Sequence, residues 1–153
     1  MQFDDKPYDL YLGNNIDILK EFDENSIDAV VTDPPYGLSN HTQKDVIECL
    51  KAWVNDEPFL TNKKGFMGNS WDAWVPGPEL WKEIYRVLKP GGHMLVFAGT
   101  RSMDLMSMAI RISGFELRDS IGYGHESHEA PLIAWAYGSG FPKSHNISKA
   151  IRS

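Results

Sequence analysis

An α/β domain built on a mostly parallel sheet, with an antiparallel hairpin toward its C-terminal end, is the fold this sequence predicts. Three observations carry it. Two short segments, Ile27–Thr32 (IDAVVT) and residues 93–98 (HMLVFA), are nearly continuous in apolar character, as strands buried on both faces of a parallel sheet are. Between and after them, apolar residues recur at helical spacing. Two further apolar segments, residues 115–121 and 131–137, are separated only by GYGHESHEA, and two strands joined without a helix pair as an antiparallel hairpin at the sheet edge.

Taken in order, residues 8–13 (YDLYLG) read as a short strand. Asn14 or Asn15 then caps a helix in which Ile16, Leu19 and Phe22 share a face, and Asn25-Ser26 breaks it before Ile27–Thr32. Residues 42–54 form an amphipathic helix with Val46, Ile47, Leu50, Trp53 and Val54 on its apolar side. Residues 57–77 make a long loop punctuated by Gly, Asn and Pro, and loops of that length in a compact domain are usually functional or mobile. Pro78 opens the next helix at a favoured first-turn position, with Leu80, Trp81, Ile84, Tyr85 and Leu88 inward, and Lys89-Pro90-Gly91-Gly92 reads as its stop. Ser102 is placed to cap a helix running to about Ser113, which Gly114 terminates.

The 153 residues suffice for one domain with a core, and they show no internal period. Hydrophobic residues at 42% and charged residues at 24% exclude a disordered or fibrous chain. No apolar run approaches the roughly 20 residues that span a bilayer, and the acidic, polar start MQFDDKPYDL is unlike a secretory signal, so the cytoplasm is the expected compartment and no membrane is involved. The single cysteine, Cys49, has no partner for a disulfide and reads as a buried helix residue. A net charge of −6 is unlike a free-standing nucleic-acid binder, although the tail GFPKSHNISKAIRS carries Lys143, Lys149 and Arg152 without an acid.

The chemistry concentrates in Val30-Val31-Thr32-Asp33-Pro34-Pro35-Tyr36-Gly37, where a strand ends in a carboxylate, two prolines and an aromatic ring. Ligands of open α/β sheets bind outside the carboxyl ends of the strands. Prolines fix φ and lack an N–H, so their carbonyls can point outward as rigid acceptors. With a carboxylate to accept further hydrogen bonds and a ring to stack on a flat heterocycle, the four residues make a cradle for an exocyclic amine on a nucleobase. The plainer alternative is a strand-ending turn with a surface Asp and a packed Tyr.

DPPY after a hydrophobic strand resembles the catalytic motif of the S-adenosylmethionine-dependent DNA amino-methyltransferases, which methylate adenine at N6 or cytosine at N4. The segments GNNIDILKEFDENSIDAVVTDPPYGLS, GFMGNSWDAWVPGPELWKEIYRVLKPGGHMLVFAGTR and YGSGFPKSHNISKAI resemble successive blocks of the phage and prophage branch of that family. The resemblance implies a Rossmann-like methyltransferase fold, S-adenosylmethionine as cofactor, and double-stranded DNA with a flipped target base as substrate. It implies that Asp33 and the Pro34 carbonyl hold the target amine, that Pro35 stiffens the turn, and that Tyr36 stacks on the base. The resemblance also implies that Asn14 and Asp33 face the cofactor, although Asn14 stands where the family usually has an acid. By the same resemblance Phe66, Trp71 and Asp72 would lie near the base pocket or form a lid over it, the alternative being loop side chains packed on the domain, and Lys143 is expected either to contact a phosphate or to face solvent. Asp at the first motif position favours adenine, with N4-cytosine the alternative.

The family's glycine-rich cofactor loop, Phe-x-Gly-x-Gly after a strand, is not found, and Gly91-Gly92 follow a helix instead. The expectation is therefore an incomplete sheet: residues 1–153 form one catalytic-region domain without the cofactor-loop half or the target-recognition region. Such a domain is inactive alone, and it self-associates or pairs with a complementing polypeptide across its open sheet edge. The rival readings are a methyltransferase remnant that binds DNA or a protein without catalysis, and a small-molecule enzyme that uses S-adenosylmethionine or a nucleotide. His125 and His128 lack a third ligand and are assigned no metal.

Overall fold

The structure is a computed structural model that describes residues 8–118 and 138–140. Its first helix, α1 (Asn15–Leu19), is a single turn capped as expected: the Asn14 side chain accepts the Ile16 N–H at 2.9 Å. No residue of α1 is fully buried, but Ile16 and Leu19 pack half-buried against the core, and a neighbour adds a second hold. Arg86 donates to the carbonyls of Leu19 and Phe22 at 2.7 and 2.9 Å, satisfying acceptors that a helix end leaves open. Residues 8–13 form no strand. They have no paired edge among the described residues, and Leu10 and Leu12 are exposed while Tyr11 meets the Phe22 ring edge-on at 5.5 Å.

Strand β1 (Ile27–Thr32) follows the expected bounds and pairs in parallel with β2 (Leu88–Val96). Burial on both faces is not observed: Ile27, Val30 and Thr32 are half-buried, whereas Asp28, Ala29 and Val31 are exposed, Val31 by 67%. The reason is topological. Among the described residues β1 is paired along one edge only, and one of its faces is covered. Strand β2 also begins earlier than the sequence indicates. Helix α3 (Pro78–Val87) stops at Val87, and Lys89-Pro90-Gly91-Gly92 lies inside the strand as an irregularity: Ile27 faces Leu88, but Ala29 already faces His93. Gly91 takes a φ of 81°, a left-handed value that spares a side chain only in glycine, and so allows the excursion.

Helix α2 (Gln43–Val54) is started by a complete capping box: Thr42 accepts the Asp45 N–H and Asp45 accepts the Thr42 N–H. Helix α4 (Met103–Ile112) ends at Gly114, whose φ of 102° serves as the left-handed stop. Strand β3 (Phe115–Leu117) pairs antiparallel with β4 (Gly138–Gly140), which also runs close to β2. The antiparallel partner thus lies just beyond the expected strand 131–137, which falls outside the described residues, as does the remainder of 115–121 beyond Arg118.

The core lies between the helices and β2. Trp81, Val87, Leu88, Met94, Met106 and Ile110 are almost fully buried, and burying each aliphatic side chain among them stabilises the fold by roughly 1.5–3 kcal/mol. Cys49 is fully buried on α2 and accepts the Trp74 Nε1–H at 3.2 Å, while burial pushes its thiol up to about 12. It therefore stays an un-ionised core residue. Among the described residues no helix is long and apolar enough to cross a membrane.

Candidate functional site

Where β1 ends, the chain turns through Asp33-Pro34-Pro35-Tyr36 and opens a cleft of about 260 Å³, lined by these four residues with Leu38, Trp71 and Asp72. The carboxyl end of a parallel strand is where the topology leaves room for a ligand. Pro34 is buried, and neither its carbonyl nor that of Pro35 accepts a hydrogen bond among the described residues. The turn therefore carries carbonyl acceptors without partners beside an exposed carboxylate.

Two distant segments hold the turn. Gly37 takes a φ of 66°, and a Cβ there would come within 2.8 Å of the Val75 nitrogen, so both conformation and space demand glycine. Its N–H donates to the buried Asp72 carboxylate at 3.1 Å, and the Leu38 N–H donates to the Asp72 carbonyl at 2.9 Å. Ser39 continues the crossing by donating to the Ala73 carbonyl at 2.6 Å. From the other side, the Ser102 hydroxyl donates to the Tyr36 carbonyl, and Gly99 lies against the Tyr36 ring. Ser102 does occupy the N-cap position of α4, as expected, but its side chain makes this cross-link rather than a cap.

Within the cleft, the Tyr36 hydroxyl donates to Asp33 Oδ1 at 2.6 Å, leaving the second carboxylate oxygen able to accept. Burial, with the Asp33 hydrogen bond and charge adding to it, pushes the Tyr36 phenol up to about 12. Tyr36 is thus a neutral ring at physiological pH and no base. Trp71, 65% exposed, offers a second aromatic surface at the rim.

Behind the turn, His41 stacks on Trp74 with ring centroids 3.9 Å apart, and Phe59 meets the same indole at 4.8 Å. Burial holds the His41 imidazole below its ordinary range, and the charges of Lys63 and Arg101 act in the same direction. Its Nε2 is buried with no hydrogen-bond partner among the described residues. The loop from Lys63 is anchored nearby: Lys63 donates to the Asn40 carbonyl at 2.6 Å and pairs with Asp45, whose carboxyl is held well below the usual range by that contact and by Thr42.

Of the residues singled out from sequence, the structure brings together Asp33, Pro34, Pro35, Tyr36, Trp71 and Asp72. Asn14 is not among the lining residues, and its side-chain oxygen is taken by the α1 cap. Phe66 opens the 3-10 turn Phe66–Gly68 in the same loop as Trp71. Lys143, His125 and His128 lie outside the described residues, and no group of three potential metal ligands converges among those described. Sequence reading missed Leu38 as a lining residue, and Gly99 and Ser102 as supports of Tyr36. Gly37 was legible in principle, because a glycine directly after a proline-stiffened turn signals a positive φ.

Comparisons with known proteins converge on one family. The family model for the N6 and N4 enzymes, described as DNA methylase, matches residues 27–146. The chain is 32% identical over 139 residues to the type II methyltransferase M.HpaI of Haemophilus parainfluenzae, covering 91% of this chain and 35% of that one. It is 28% identical over 140 residues to the type II methyltransferase M.HindIII of Haemophilus influenzae, covering 80% and 44% respectively. The chain therefore spans less than half the length of these relatives. Among solved structures, the Thermus thermophilus protein TTHA0409, complexed with S-adenosyl-L-methionine, superposes over 91% of this chain and 59% of its own, with a TM-score of 0.50 at 18% identity. That likeness extends to the fold.

Proposed function

Because the chain belongs to the N6/N4 DNA methylase family, we propose that its cleft holds the exocyclic amine of a flipped adenine in DNA while a methyl group is transferred to it from S-adenosylmethionine. One observation carries the reading: a carboxylate with an open acceptor and an unpaired proline carbonyl stand beside a neutral tyrosine ring in one cleft at the end of β1. The free Asp33 oxygen and the Pro34 carbonyl accept the two amine hydrogens, which draws the nitrogen lone pair out of conjugation with the ring and fixes its direction. Tyr36 supplies the stacking face, at roughly 1–3 kcal/mol per base. Asp33, whose second oxygen stays bonded to Tyr36, is the acceptor nearest the proton that the amine must shed.

The described residues fit the cofactor at one end. A cleft of about 260 Å³ lies below the roughly 300–1,000 Å³ of small-molecule sites and suits a single base. The Asp33 carboxylate matches the cationic sulfonium, which supplies an electrophilic methyl when bound. Asn14, through the side-chain amide nitrogen left over from its cap, is proposed to face the adenosine. Adenine is preferred to cytosine on the resemblance of the Asp-first motif to adenine enzymes. Because the chain spans 35–44% of the lengths of the two Haemophilus relatives, we propose that full activity requires the part of those relatives that this chain does not span, which completes the sheet beside β1.

The test is methyl transfer from labelled S-adenosylmethionine to DNA, by the chain alone and mixed with a polypeptide carrying the relatives' remaining sequence. Digestion to nucleosides then distinguishes N6-methyladenine from N4-methylcytosine. Activity of the mixture that D33A abolishes is expected. N4-methylcytosine as product overturns the choice of base, and a mixture that D33A leaves fully active overturns the assignment of Asp33.

A further inference from the structure

In this acidic chain, most described cations are spent on acids: Lys63 pairs with Asp45, Lys82 with Asp56, Arg86 with Glu83 and Lys89 with Asp28. Lys64 and Arg101 differ. Neither makes an ion pair or a side-chain hydrogen bond among the described residues, and both are exposed. Lys51 and Arg111, also without an acid partner, belong to the last turns of α2 and α4.

The backbone ties both cations to the cleft. Lys64 precedes Gly65, which is pressed so close to the Asp72 carbonyl that a Cβ on it would come within 2.0 Å. Arg101 precedes Ser102, whose hydroxyl holds the Tyr36 carbonyl, and follows Gly99 by two residues, against which the Tyr36 ring rests. One cation therefore adjoins the Trp71-Asp72 wall and the other the Tyr36 wall. His41, on the segment that leads out of the turn, also feels the charge of Arg101.

We propose that Lys64 and Arg101 form a phosphate clamp on opposite walls of the cleft, gripping the backbone of the nucleotide whose base enters it. A planar guanidinium can take two phosphate oxygens at once, and the ammonium serves as a point charge. Such contacts set register and carry no sequence information. The clamp rests on the reading of the cleft as a base pocket. It gives the acidic chain a local cationic rim at the one place where a polyanion must approach.

The test uses this chain with two probes: a short single-stranded oligodeoxyadenylate, and the same oligomer with uncharged methylphosphonate linkages, each titrated by anisotropy or NMR. The wild type is expected to bind the charged oligomer more tightly. Two single-strand phosphate contacts make that affinity fall about 7-fold between about 50 and 200 mM salt. The K64A/R101A double variant is expected to lose that factor and to bind the charged oligomer no better than the wild type binds the uncharged one. Equal binding of both oligomers by the wild type overturns the clamp and leaves the base pocket standing, as does a double variant with unchanged salt dependence. Binding of neither oligomer overturns the base pocket, and the clamp with it.

Discussion

Asp72 is buried, yet its work is directed at a neighbour's backbone: its carboxylate satisfies the Gly37 N–H and its carbonyl the Leu38 N–H. Removing the carboxylate strands a buried donor, so D72A is expected to lose about 1–3 kcal/mol in urea denaturation. D72N retains an oxygen in place and is expected to lose less. His41 adds a pH dependence. Its folded-state affinity for a proton lies below the ordinary value, so below about pH 6.5 the unfolded chain binds more protons and stability falls as the pH falls. H41F keeps a ring on Trp74 and removes the titration. The drop in urea midpoint between about pH 7.5 and 5.5 is expected to shrink in that variant. Tyr36, pushed up to about 12, contributes nothing to pH effects near neutrality.

At the scale of elements, what sequence reveals depends on whether its cause is local. The start of α2 was legible because its capping residues, Thr42 and Asp45, are three apart and use each other. The start of β2 was not. Lys-Pro-Gly-Gly has the composition of a helix stop, and only pairing with β1, some 60 residues earlier in the chain, turns it into a strand irregularity. The candidate site divides the same way. Asp33 to Tyr36 declare themselves as neighbours, whereas Asp72 and Ser102 reach the turn across sequence separations of 35 and 66 residues. The one-turn helix α1 shows the converse, a local element held by a remote side chain. R86A frees the Leu19 and Phe22 carbonyls and is expected to abolish hydrogen-exchange protection in α1. Because no residue of α1 is fully buried, the global urea midpoint is expected to move much less.

At the scale of the whole molecule, β1 is the open strand among the described residues. It has one unpaired edge among the described residues and an exposed Val31, where a parallel strand normally has cover on both sides. Self-association through this edge is expected to appear as a concentration-dependent rise in weight-average mass by sedimentation. V31K, which places a charge on the open face, is expected to suppress it. A clean monomer at high concentration counts against the edge as an interface. The α/β class and the position of the site were legible because both follow from the strand-then-turn pattern at residues 27–36. The uncovered state of β1 was not, since an apolar segment has the same composition whether or not its neighbours are in place.

The paired prolines have one more effect, on how strands can add to the sheet. Proline supplies no N–H to a ladder, so Pro34 and Pro35 close the pairing edge of β1 immediately beyond Asp33. A strand joining that edge has a six-residue template, Ile27–Thr32, or about 20 Å, and cannot creep forward into the cleft. The same two residues whose carbonyls stand unpaired at the cleft among the described residues thus act as an end-stop, fixing the register of a strand added beside β1 and keeping the mouth of the cleft clear of it.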